Sequence, residues 1–171
     1  MPGSPPADGP RRQRIVQLHP TARCNLACAH CYSSSGPRAG RGPGLDALLG
    51  ALDDARALGY EVLAVAGGEP LVDPDLPALL AHAQGLGLRT TVTTNGTLLT
   101  DAALGELAPC VAQIRLSVYD DVDHRPLLAR LAASRVRFGV NWLVTPARLA
   151  SVEAVALDLA PRGCRDLLLL S

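Results

Sequence analysis

The chain has no lysine, one phenylalanine, one tryptophan, three tyrosines and one methionine, and its formal charge is zero. Each scarcity excludes something. With aromatics at 3% of residues, the core has to be packed from aliphatic side chains. With 16 basic residues, all arginine, against 16 acidic ones, no basic stripe interleaved with aromatics is present to recruit nucleic acid. Arg11, Arg12 and Arg14 read as a solvated leader before the first strand. No apolar run approaches the ~18 residues of a membrane span. Residues 1–10 are rich in Pro and Gly and lack the apolar stretch of a secretion signal. The expected location is therefore cytoplasmic, with no membrane partner. There, five cysteines argue against a disulfide framework.

What is present is globular. Hydrophobic residues make up 48% of the 171, enough for one domain with its own core. Residues 1–13 read as a flexible tail and 14–171 as a single domain. After the tail, short apolar runs alternate with helical patterns. Strands are expected at 15–18, 61–66, 88–94, 114–118, 136–144 and 166–170. Leu45, Leu48, Leu49 and Leu52 recur at helical spacing. Asp75 and Thr100 are candidate N-caps, and Ser151 opens a last helix over Val152, Val155 and Leu159. A further short helix is expected at 127–133. Such alternation makes right-handed βαβ units and a parallel sheet. Several strands are continuously apolar, as burial on both faces requires. Asp53, Asp54 and Arg56 on the first helix read as a solvated face.

In folds of this kind, functional residues sit at the C-terminal ends of strands. The unusual residues all fall there. Cys24, Cys28 and Cys31 follow the first strand, Gly67-Gly68-Glu69-Pro70 the second and Thr93-Thr94-Asn95-Gly96 the third, and Ser117 ends the fourth. The thiols are spaced C-x3-C-x2-C, compact enough to wrap one iron–sulfur cube. Soft thiolates select Fe–S or zinc over hard cations. Three ligands on a cube of four irons would leave one iron open. The competing reading is a structural zinc site closed by His30, His19, Cys110 or Cys164. Cys110 and Cys164 precede the fourth and sixth strands, which puts them at the far rim as ordinary thiols. His19-Pro20 ends the first strand and reads as a surface group.

Taken in order, these segments resemble radical S-adenosylmethionine (radical SAM) enzymes. The Cys24–Cys31 loop looks like that family's cluster motif, with His30 where an aromatic residue is common. Gly67-Gly68-Glu69-Pro70-Leu71 is similar to its glycine-rich segment, Val92-Thr93-Thr94-Asn95-Gly96-Thr97 to its third-strand end and Leu116-Ser117-Val118-Tyr119-Asp120 to its fourth-strand end. The resemblance implies a partial (β/α)6 barrel, here truncated after the sixth strand. It also implies a [4Fe-4S] cluster on Cys24, Cys28 and Cys31, and S-adenosylmethionine bound at the open iron. Reductive cleavage then gives a 5′-deoxyadenosyl radical that takes hydrogen from a substrate, with electrons from a flavodoxin- or ferredoxin-type donor.

Further contacts follow from the resemblance. Gly67 and Gly68 let the backbone approach the methionine end of the cofactor, since no Cβ intervenes. Glu69 either partners the cofactor or braces its loop. Pro70 fixes the exit from the turn. Ser117 is a candidate ribose or carboxylate contact, although Tyr119 stands where relatives put an acid. Asn95 contacts the cofactor or shapes a turn. Asn141 faces the cofactor or is a satisfied core amide, and Tyr32 shields the cluster or packs in the core. The wording around the cysteines looks like the group that modifies peptides or proteins, or builds cofactors. The Leu167–Leu170 strand would end the chain with a bare apolar edge, which reads as a C-terminally incomplete core. An electron-transfer or structural iron–sulfur protein and a zinc-stabilised binding module are the two other readings.

Overall fold

The computed structural model describes residues 13–119 and 123–171. The tail expected at 1–13 lies outside them except for Gln13, as does Asp120.

The elements run β1 (Ile15–Leu18), α1 (Leu45–Ala57), β2 (Val62–Val65), α2 (Leu76–Gly85), β3 (Arg89–Thr94), α3 (Asp101–Leu107), β4 (Gln113–Val118), α4 (Arg125–Ala133), β5 (Phe138–Leu143), α5 (Val152–Leu159) and β6 (Leu167–Leu170). Every expected strand is present, with ends within two residues of those expected. Spacing explains the helices. In α1 the buried residues are Leu48, Leu52 and Ala55, one per turn on one face. Thr100 caps α3 by accepting the Ala103 N–H. Asp75 stands at the N-cap of α2, but its side chain makes no capping bond. The turn is held instead by Asp73, whose carboxylate accepts the Asp75 N–H at 3.0 Å.

The six strands pair in sequence order β1-β2-β3-β4-β5-β6, and every pairing is parallel. Each helix carries the chain back so that the next strand adds on the same side. With the intrinsic strand twist, the sheet curls into a half-barrel, a partial (β/α)6 fold. Leu52, Leu63, Val65, Val92, Ile114 and Leu116 are fully buried between the sheet's convex face and its helices. Each contributes about 1.5–3 kcal/mol relative to an exposed side chain.

The concave face departs from the sequence reading. The continuously apolar runs of several strands predict burial on both faces, yet on β3 to β5 the register lines up polar side chains there. Thr91 pairs with Gln113 and Thr93 with Arg115, Arg115 with Gly139 and Ser117 with Asn141. Across β3, β4 and β5 the concave face is therefore polar, while Val62 and Ala64 of β2 and Leu168 of β6 share that face by register. Asp166 holds the floor of the barrel lumen. Its carboxylate accepts from the Gln113 amide at 2.5 Å and from Arg115, whose guanidinium also donates to Asn141 Oδ1 at 2.9 Å. A Cβ on Gly139 would fall 2.5 Å from the Asp166 carboxylate, so this glycine makes room for the knot.

At the edge of the described sheet, Leu168, Leu169 and Leu170 of β6 are 40–45% exposed. No helix among the described residues is long and apolar enough to cross a membrane.

Candidate functional site

Because all strands are parallel, the segments after β1, β2, β3 and β4 share one rim. Cys110 and Cys164 lie before β4 and β6, at the other. There Cys110 Sγ meets the Gln84 side chain and Cys164 Sγ the Asp166 carbonyl.

The segment after β1 is anchored before it reaches the cysteines. Arg23 forms a bridge with Gly36 and Thr21 with Arg41, and the Cys24 N–H donates to the Gly36 carbonyl. The loop then turns tightly, with Cys31 N–H on the Cys28 carbonyl and Ser34 N–H on the Cys31 carbonyl. All three thiols are half-buried, and donors point at sulfur. Cys24 Sγ receives the Leu26 N–H at 3.4 Å and the Asn95 side-chain amide at 3.8 Å. Cys31 Sγ receives the Ser35 N–H at 3.4 Å and lies 3.4 Å from the Ser33 hydroxyl. Burial alone would raise the Cys31 pKa, but the bonds from Ser33, Ser35 and Ser34 outweigh it and hold the thiol below its ordinary value.

The glycines after β2 serve the chain's own packing. A Cβ on Gly68 would lie 2.0 Å from the Arg23 carbonyl oxygen, and one on Gly67 2.9 Å from the Thr21 carbonyl oxygen. Gly68 N–H and Glu69 N–H donate to those same carbonyls, of Thr21 and Arg23, at 2.9 Å. The close approach expected for a cofactor is thus made first by backbone residues 21–23, which seats the cysteine loop against the second strand end. Gly67 has φ of 110°, a value glycine adopts without strain. Its carbonyl accepts the Ser33 hydroxyl at 3.0 Å.

Glu69 is 1% exposed. Oε1 accepts the Leu71 N–H at 3.1 Å and the Thr94 hydroxyl at 2.7 Å, and Oε2 the Asn95 N–H at 2.7 Å. Of the two roles weighed for it, this geometry is that of the brace. Pro70 begins a short 3-10 turn, Pro70–Val72. Asn95 accepts from the Thr97 N–H at 2.9 Å, an Asx turn, while the left-handed position falls to Gly96. The same side chain reaches back to Asn25 and Cys24.

Near the end of β4, Ser117 is half-buried and hydrogen-bonds Tyr119, whose phenol is pushed above its ordinary pKa by burial and by nearby Cys28, Cys24 and Cys31. The Tyr119 ring packs 4.9 Å from that of His30. Asn141 is buried, and its Oδ1 accepts from Arg115. Tyr32 is 72% exposed, outside the core, with its ring edge-on to His19. His19 pairs with Gln17 at 2.7 Å.

Sequence reasoning passed over Ser33, Asn25 and Thr97. The Ser33-Ser34-Ser35 run beside a thiol was the available signal. Asn25 and Thr97 become partners only through the fold.

The donors aimed at Cys24 and Cys31 suit a thiolate-held cluster, and at Cys31 they favour the charged form of the sulfur. Among the described residues, no group of three or more His, Cys, Asp or Glu converges as a single ion requires.

Comparison with known proteins agrees. The family model described as the Radical SAM superfamily matches residues 18–133. The chain is 36% identical over 109 residues to an AdoMet-dependent heme synthase of Methanosarcina barkeri, covering 63% of this chain and 31% of that one. It is 35% identical over 121 residues to a PqqA peptide cyclase of Granulibacter bethesdensis, covering 67% and 32%. The structure of Streptococcus suis SuiB bound to precursor peptide SuiA superposes with a TM-score of 0.78 at 17% identity, covering 92% of this chain and 39% of that one. The chain thus spans about a third of the length of these curated relatives.

Proposed function

The chain belongs to the radical SAM superfamily, and on that premise we propose that residues 14–171 are a catalytic core holding a [4Fe-4S] cluster on Cys24, Cys28 and Cys31. The observation that carries this reading is the set of donors aimed at Cys24 and Cys31 from within the loop and from Asn95. The chemistry supplied by cluster and S-adenosylmethionine when bound is one-electron reductive cleavage of the sulfonium to methionine and the 5′-deoxyadenosyl radical, for hydrogen abstraction from a substrate.

The chain's own residues divide the remaining work. Gly67 and Gly68 dock the second loop on residues 21–23 and leave the Gly67 carbonyl, already held by Ser33, to face the cofactor's ammonium group. Pro70 fixes the loop's exit, and Glu69 braces Thr94 and Asn95. Ser117, with Tyr119 beside it, offers hydroxyls to the ribose or carboxylate. Asn141 offers its amide from the lumen wall. The half-barrel shields these groups from bulk water. The electron donor is of flavodoxin or ferredoxin type, and the setting is cytoplasmic.

For the substrate, likeness to a heme synthase and a peptide cyclase supports cofactor biosynthesis or peptide modification. The polar side chains of β3–β5 on the concave face favour a polar substrate, and we assign peptide or protein modification. The test is anaerobic reconstitution with iron and sulfide, reduction with dithionite and quantification of 5′-deoxyadenosine. Its formation is expected. A cluster that never yields it indicates an electron-transfer or structural iron–sulfur protein, and bound zinc without iron indicates a binding module.

A further inference from the structure

The segments after β1 and β3 are joined by a closed ring of three side chains. Asn25 Nδ2 donates to Thr97 Oγ1 at 2.7 Å, Thr97 Oγ1 to Asn95 Oδ1 at 2.6 Å and Asn95 Nδ2 to Asn25 Oδ1 at 2.9 Å. The ring fixes its own polarity. Asn95 Oδ1 also accepts the Thr97 backbone N–H at 2.9 Å, and a backbone N–H can only donate. The oxygen of Asn95 therefore faces Thr97, and its nitrogen faces the cysteine loop. That nitrogen carries two hydrogens. One goes to Asn25, and the other points at Cys24 Sγ, 3.8 Å away.

Asn95 has little freedom to turn aside. It is 7% exposed, and its backbone N–H is held by the buried Glu69 carboxylate at 2.7 Å. The other donors at the sulfurs, Leu26 N–H on Cys24 and Ser35 N–H and Ser33 on Cys31, come from the cysteine loop itself. The Asn95 amide reaches Cys24 from a different strand end, that of β3.

We propose that Asn95 is a positioning residue that sets the reduction potential of the cluster through its amide hydrogen bond to Cys24. This rests on the functional reading above. One electron from the flavodoxin- or ferredoxin-type donor makes the reduced cluster more negative by one charge. A hydrogen bond to a ligating sulfur stabilises that state more than the oxidised one and so raises the potential. Glu69 and the Asn25–Thr97 ring hold the amide in place.

The experiment uses the full chain, reconstituted without oxygen and titrated with dithionite while the reduced cluster is followed by electron paramagnetic resonance. Asn95→Leu removes the donor at similar volume. Asn95→Asp keeps the acceptor for the Thr97 N–H while replacing the donor by a charge. Both midpoints are expected below that of the wild type, with about a tenfold fall in the reduced-to-oxidised ratio at a fixed solution potential, or about 59 mV for a one-electron couple. Thr97→Val opens the ring but leaves the donor, and its shift should be smaller. Full iron content with an unchanged midpoint in Asn95→Leu overturns the proposal. Loss of iron from both Asn95 variants also overturns it, because Asn95 would then hold the loop without tuning it. A wild-type chain that assembles no cluster would fail the functional reading itself, which is a different result.

Discussion

The Glu69 carboxylate, 1% exposed, accepts the backbone N–H of Asn95 at 2.7 Å, so a charge buried after β2 sets the position of the loop after β3. Its other oxygen holds Leu71 and Thr94. One side chain thus ties together two strand ends of the rim, and through Asn95 a third, since the Asn95 amide reaches Cys24.

Replacing Glu69 tests that tie. Burial pushes its carboxyl above the ordinary value of 4.5, against the bonds from Asn95, Thr94 and Leu71 that pull it down. The folded state therefore holds this proton more tightly than the unfolded chain does. The resulting stability is fully present below the unfolded value and is lost as pH rises through the folded one. Glu69→Gln places an NH2 group against a donor and is expected to cost about 1–3 kcal/mol at pH 7. Because the variant cannot take up the proton, the gap to the wild type should widen as pH falls toward 4.5. Urea unfolding at several pH values measures it; a variant as stable as the wild type at pH 7 contradicts the bracing role, and a gap that narrows in acid would mean that the bonds from Asn95, Thr94 and Leu71 outweigh burial.

Two glycine-to-alanine changes should differ in severity for a structural reason. At Gly68 the added Cβ meets backbone, 2.0 Å from the Arg23 carbonyl oxygen, and the cysteine loop has to move. At Gly139 it meets the side-chain ends of Asp166 and Gln113, which can rotate away. Gly68→Ala should cost about 1–3 kcal/mol, in the range for overpacking, and lose iron on reconstitution. Gly139→Ala should keep its iron and lose less stability. Equal iron content in both would mean that the Gly68 contact does not seat the loop.

The cysteines separate by rim. Alanine at Cys24, Cys28 or Cys31 should abolish cluster assembly or leave it badly depleted. Alanine at Cys110, whose sulfur meets Gln84 on the opposite rim, should leave iron nearly intact. Iron and sulfide analysis after anaerobic reconstitution distinguishes the two groups, and comparable loss at Cys110 would show the ligands to be misassigned.

Fold and rim were legible because they rest on local patterns. Leu48, Leu52 and Ala55 at helical spacing fall on the buried face of α1, and each strand–helix repeat forces a parallel neighbour. The concave face was harder to read. Thr91, Thr93, Gln113 and Arg115 alternate with Val92, Ile114 and Leu116, but the all-apolar run of β2 masked that period of two. Glu69 was recognised as unusual, yet its inward direction depends on Thr94 and Asn95, 25 and 26 residues away. The Gly67-Gly68 pair was read as room for a ligand. The space belongs to Arg23 and Thr21, a contact that exists only once β1 and β2 are paired.

The most direct measurement is the electron paramagnetic resonance spectrum of the dithionite-reduced, reconstituted chain before and after addition of S-adenosylmethionine. Three protein sulfurs with one iron left accessible predict a cubane signal that changes when the cofactor is added. A signal indifferent to it, or iron absent and zinc in its place, would contradict the assignment of Cys24, Cys28 and Cys31 as the ligands of an open cluster.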